Sequence, residues 1–168
     1  MAWTALHHQL SVPRGAETTD NNLGDEGVRY IATALTRENC KLQQLEIAYN
    51  RIGIEGLQSL ARALAHQNCR LQNLNLEGNK AGPEGTKMLA VALAHPQCTI
   101  DHLNLHGNEI GLEGACSLAT ALTNKNCKLQ FLDLRYNDLG DSGAQSLATA
   151  LMNENCALHF LNLEREFH

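Results

Sequence analysis

Apolar positions along this chain switch between two spacings. From Cys127 to Leu151, the residues Leu129, Leu132 and Leu134 fall close together, as in a short strand. Ala144, Leu147, Ala148 and Leu151 then follow at the i, i+3, i+4, i+7 spacing of an amphipathic helix. Between the two, Asn137 marks a tight turn. Asp141 stands where an N-cap side chain is expected to satisfy the first free N–H groups of the helix. Such a unit has one apolar strand edge and one apolar helix stripe, and it buries both only against neighbours of the same shape.

Those neighbours recur at a fixed interval. Cys40, Cys69, Cys98, Cys127 and Cys156 are 29 residues apart, and Asn50, Asn79, Asn108 and Asn137 keep the same step. Leu45, Leu74, Leu103, Leu132 and Leu161 share one apolar slot, and Ile47, Leu76, Leu105, Leu134 and Leu163 share the next. The helical stripes repeat as Val28/Ile31/Ala32/Leu35, Leu57/Leu60/Ala61/Leu64, Thr86/Leu89/Ala90/Leu93 and Ala115/Leu118/Ala119/Leu122. A period of this length carrying L-x-x-L-x-L-x-x-N is the mark of a leucine-rich-repeat solenoid, with strands of roughly five residues. The predicted fold class is therefore α/β: a right-handed horseshoe segment with a parallel inner sheet and outer helices.

Punctuation fits this register. Asp25 is the expected N-cap of the first helix, Pro83 falls at the first helical position of its coil, and Pro96 follows the same helix and stops it. Gly27, Gly56, Gly85, Gly114 and Gly143 recur at helix starts, where a side chain is expected to collide with the facing strand. Residues 1–19 are read apart from the repeat domain, 20–168. Met1–Leu10 is out of register, a short helical cap or a loose tail. Ser11–Thr19 is a degenerate first coil with Pro13, Ala16 and Thr18 in the leucine slots, Pro13 belonging on an outer edge. At the other end Glu166 stands where a fifth Asn is due, so the domain is expected to end without a cap, with self-association through that end as an expectation.

The extended pattern L-x-x-L-x-L-x-x-N-x-[IL]-G-x-x-G-x-x-x-L-A-x-A-L, covering roughly Asn21 to Leu163, resembles the ribonuclease-inhibitor-like subclass of leucine-rich-repeat proteins. That subclass includes ribonuclease inhibitors, the sensor ends of nucleotide-binding leucine-rich-repeat (NOD-like) receptors of innate immunity, and activators of the small GTPase Ran. The pairs Asn39-Cys40, Asn68-Cys69, Asn126-Cys127 and Asn155-Cys156 are most similar to the receptor group. The resemblance implies receptor-type sensing or inhibitor-type binding of another protein. The alternatives are a Ran-type GTPase activator, although the long acidic tail typical of those activators is missing, and a truncated isoform or fragment of a larger receptor.

Charge and composition narrow the partner. A net charge of −5 over 168 residues disfavours a nucleic-acid surface, which needs clustered Lys and Arg. No apolar run approaches the ~18–20 residues of a membrane span, and the N-terminus lacks a secretory pattern. Five of six cysteines occupy one repeat slot, which assigns them to packing as free thiols and points to a cytoplasmic location. Cys116 is expected to be an exposed lone thiol. There is no zinc-type Cys/His spacing, nucleophile motif or Gly-rich phosphate loop, so no cofactor, metal or catalytic residue is assigned and the chain is read as a non-enzyme.

The asparagines Asn50, Asn79, Asn108 and Asn137 are structural, bonding backbone groups of adjacent coils. His66 and His95 suit a cation at a helix C-terminus. Outward strand positions form columns: Gln44, Asn73, His102, Phe131, Phe160; then Glu46, Asn75, Asn104, Asp133, Asn162; then Ala48, Glu77, His106, Arg135, Glu164. Beyond them lie Tyr49, Gly78, Gly107, Tyr136 and Arg165. The candidate partner-binding residues are Phe131, Phe160, Tyr136, Arg135, His102, His106 and Asp133, since aromatics and Arg anchor interfaces.

Overall fold

A computed structural model describes residues 21–164. The chain alternates helix and strand: α1 (Gly24–Leu35), β1 (Gln44–Glu46), α2 (Ile54–Leu64), β2 (Asn73–Asn75), α3 (Gly82–Leu93), β3 (His102–Asn104), α4 (Gly111–Leu122), β4 (Phe131–Asp133), α5 (Gly140–Leu151) and β5 (Phe160–Asn162). Parallel neighbours cannot be joined by a tight turn, and each helix supplies the crossover. The strands form one parallel sheet in the order β1-β2-β3-β4-β5. Register advances one repeat per strand, Leu45 opposite Leu74, then Leu103, Leu132 and Leu161. Each helix packs on the next, giving an α/β solenoid with sheet and helices in separate layers. The readings of Met1–Leu10, Ser11–Thr19, Arg165 and Glu166 lie outside the described residues.

The core lies between the layers. Leu71, Leu76, Ile100, Leu103, Leu105 and Leu132 from the sheet side meet Leu60, Leu89, Leu93, Leu118 and Leu122 from the helices, all buried. Each such side chain contributes about 1.5–3 kcal/mol relative to an exposed one. The stripes of α3 and α4 are buried throughout. On α5 only Leu147 of the predicted stripe is buried, while Ala144, Ala148 and Leu151 are exposed, because α5 packs on a single helix, α4, among the described residues.

Three local expectations need correction. The strands have three residues, not five, because the chain turns sharply after each: the residue before each asparagine, Tyr49, Gly78, Gly107 or Tyr136, takes a left-handed φ of 55–63°. Asp141 and Asp25 are not N-caps. The helices begin one residue earlier, at Gly140 and Gly24, with no side-chain cap, and Pro83 accordingly stands second in α3. The amides of Gly24, Gly82 and Gly111 instead donate to the carbonyls of Asn50, Asn108 and Asn137 in the following coil. Asp25 acts across coils: its Oδ1 accepts from the Gly53 amide at 2.7 Å, at the start of α2. Finally, a Cβ on the helix-start glycines would meet the residue just before its own helix or the helix of the preceding coil, and not the strand. At Gly56 it would lie 2.6 Å from Asp25 Oδ1, and at Gly85 2.6 Å from Leu57 Cδ1.

Candidate interaction face

The repeat asparagines tie coil to coil. Asn79 Oδ1 accepts from the amides of Asn50 and Ile52, both at 3.0 Å, and its Nδ2 donates to the carbonyls of Ile47 and Leu76. Asn137 repeats this with Asn108, Ile110, Leu105 and Leu134. Asn108 accepts from Ala81 and donates to Leu76, and Asn50 accepts from Leu23. All four side chains are buried, so each satisfies polar groups that water cannot reach. A second set went unread in the sequence. Asn68, Asn126 and Asn155 of the Asn-Cys pairs donate to Thr36, Ala94 and Thr123, the residues that end the preceding coil's helix.

Cys69, Cys98 and Cys127 are buried, and burial pushes all three thiols up, Cys98 to about 11. Cys40 and Cys156, in the outer coils, are half-buried, and all six cysteines, exposed Cys116 included, are free. His66 Nδ1 accepts from the Asn68 amide at 3.2 Å and His95 Nδ1 from the Gln97 amide, a role that Asn124 and Asn153 fill in later coils.

On the sheet face the candidate residues fall into two groups. In the first, His102, Phe131 and Phe160 form a ladder of rings across β3, β4 and β5. Phe131 and Phe160 are 4.4 Å apart and 2° from parallel, and His102 and Phe131 are 5.6 Å apart and 15° from parallel. The 29-residue register places the three rings on directly paired strand positions. Phe160 is 42% exposed and Phe131 half-buried, so the ladder is open to a partner along its edge. His102 Nδ1 also lies 2.7 Å from Asp101 Oδ1.

The second group is electrostatic. Arg135 holds Asp133 bidentately, Nε at 3.0 Å and Nη2 at 2.7 Å, and this bond and the nearby carboxylate raise the guanidinium pKa. Asp133 is only 4% exposed, which corrects its reading as a surface contact residue. Asn75 and Asn104 in the same column are likewise buried. Side-chain alternation sets direction but not depth, and every side chain of this column except exposed Glu46 folds back on its own chain. Asn75, Asn104, Asp133 and Asn162 each accept from the amide two residues on, and Asn75 and Asn104 also donate to Glu46 and Glu77.

Glu77 joins this group unpredicted. It receives the Tyr49 hydroxyl at 2.6 Å and the Asn104 amide at 3.1 Å. His106 Nδ1 sits 3.2 Å away, within ion-pair distance but off the line of a hydrogen bond, and its ring packs on Tyr136 at 5.0 Å. Burial alone would raise the Glu77 carboxyl, but the His106 ring, the Tyr49 hydroxyl and the Asn104 amide outweigh it and hold it at about 2. Tyr49 is pushed well above the usual phenol range by burial and by Glu77. Its ring lies where a side chain at Gly78 would stand, so glycine there serves both the left-handed turn and the ring.

Three-residue strands make the face small. At ~3.3 Å per residue and ~4.8 Å between strands it spans about 10 by 20 Å, far below the ~800 Å² per partner of a standard interface. A partner held here must therefore also touch the rim at Tyr49 and Tyr136. Among the described residues no His, Cys, Asp and Glu side chains group as a metal site, and no helix is long and apolar enough to cross a membrane.

A search of curated proteins returned no match. A family model described as Leucine Rich repeat matches residues 19–32, 38–61, 97–119 and 125–148, about half of the chain. With that match and the stacked 29-residue coils, the chain belongs to the leucine-rich-repeat family.

Proposed function

We propose that the chain is a recognition module that docks a partner protein on its sheet face, with Phe131 and Phe160 as anchors. Leucine-rich-repeat domains generally mediate protein–protein interaction, and the family is typically non-enzymatic. The observation that carries the reading is the open ring ladder of His102, Phe131 and Phe160. Pre-stacked aromatic side chains offer contact area without further loss of rotamer freedom on binding, which favours them as anchors. Arg135, tied to Asp133, and Tyr136, packed on His106, flank the ladder as oriented polar contacts. The finer role that the Asn-Cys pairs support is receptor-type sensing or inhibitor-type binding in the cytoplasm, where six free thiols persist.

Affinity capture from cytosol, with the retained proteins identified by mass spectrometry, tests this. Phe131→Ala and Phe160→Ala should each weaken capture of the main partner by about tenfold or more. Gln44→Ala and Asn73→Ala, at the far end of the same column, should leave it nearly intact. Equal capture by all four folded variants would move the site off this face. A small GTPase as the main partner would favour the activator role over sensing.

A further inference from the structure

At two outward register positions of the helices, α3 alone among the described helices carries a pair of aliphatic side chains, Met88 and Val91. The register position of Met88 is held elsewhere by Tyr30, Ser59, Ser117 and Ser146, and that of Val91 by Thr33, Arg62, Thr120 and Thr149. Packing of the coil does not require the apolar pair, because Leu89, Ala90 and Leu93 already fill the inner stripe of α3. Val91 is 70% exposed and Met88 half-buried. With Ala61 and Ala65 of the preceding coil they line an apolar groove of about 470 Å³ between α2 and α3. Arg62 and Lys87 also line it, both exposed and in no ion pair among the described residues, with Glu84 and His95 completing its charged and titratable lining. On a chain of net charge −5, Arg62 and Lys87 against the single carboxylate of Glu84 leave the groove with an excess of one positive charge, a local reversal of sign.

We propose that this convex groove between α2 and α3 is a second protein-docking site, and that its occupant is an amphipathic helix of a partner protein, seated by an apolar ridge with carboxylates against Arg62 and Lys87. Two packed helices present a furrow that a third helix can enter, and an apolar edge at helical spacing is what such a furrow recognises. The flanking cations select the sign of the incoming helix and speed its approach. The groove is built on the helical layer and the ring ladder on the sheet layer, so both sites can be filled together.

The probe is a synthetic helix of about 18 residues, five turns, with Leu along one edge and Glu elsewhere, set against the same helix with Lys in place of Glu. The protein carries isotope-labelled Met, Val and Ala methyls, and their shifts are followed by NMR. The acidic helix should give saturable shifts centred on Met88 and Val91 and bind at least about tenfold more tightly than the basic one. The double variant Met88→Ser/Val91→Thr restores the residues usual in the other coils and so keeps the fold. It should lose binding by about tenfold or more, and Lys87→Glu should weaken the acidic helix specifically. The proposal is overturned if no saturation is reached at millimolar helix, if both helices bind alike, or if the double variant binds as tightly as the native chain. A concentration-dependent dimer abolished by the double variant would also overturn it, by assigning the groove to a second copy of the chain.

Discussion

Single side chains in this molecule carry bonds that reach beyond their own coil. Asn108 is the clearest, since its amide serves backbone groups of the preceding coil from within the core. Asn108→Ala leaves those groups without water or partner, at about 1–3 kcal/mol for each. A clear fall in the urea midpoint is expected, whereas exposed Gln145→Ala should shift stability by less than about 0.5 kcal/mol. An unchanged midpoint for Asn108→Ala would contradict the bonding described. Glu77 sets a pH dependence. Its carboxyl is held at about 2 against an ordinary 4.5, so the charged form is favoured by folding. That contribution is complete above about 4.5 and fades as pH falls from 4.5 towards 2. Stability of Glu77→Gln measured across this window should therefore fall less steeply than that of the native chain. Parallel acid limbs would show that Glu77 is not held in its charged form.

At the scale of elements, most of the architecture was legible because a fixed period is itself a register. Knowing that Leu45, Leu74, Leu103, Leu132 and Leu161 are equivalent is enough to pair all five strands. Where each helix starts was not legible. Asp25 and Asp141 have the chemistry of N-caps, but the preceding glycines take a left-handed turn that admits them into the first helical turn. Asp25 then finds its acceptor role one coil on, at Gly53, the one interior helix-start glycine with extended backbone (φ −105°) and no carbonyl partner in the next coil. Asp25→Ala should accordingly destabilise by about 0.5–2 kcal/mol, the range of a lost helix cap, and speed hydrogen exchange at the Gly53 amide. Asp25→Asn, which keeps an oxygen in place, should recover most of the loss. Equal exchange at Gly53 in both variants would count against the cross-coil cap.

Over the whole molecule, the columns of the sheet face were readable in order but not in depth. Alternation correctly pairs Phe131 with Phe160, and it wrongly exposes Asp133, whose carboxylate is enclosed by its own backbone and Arg135. The partners of Glu77 were not legible, because Tyr49 comes from the coil before it and Asn104 and His106 from the coil after it, and they meet only when the coils stack. Met88 and Val91 could have been found by comparing equivalent positions across the helices. Attention to the shared pattern hides them, since their information lies in departing from it.

The hand-over-hand asparagine bonds have a consequence for how this fold fails. Each coil is bonded to the coils beside it and to nothing farther away, so stability accrues per junction, much as in a one-dimensional lattice. A coil with two junctions is held twice, and one with a single junction is held once. The half-buried thiols Cys40 and Cys156 and the exposed stripe of α5 already record that difference at rest. The coils bearing the convex groove and His106 are each held at two junctions within the described stack, so a partner gripping either site draws on bonds made on both sides of it.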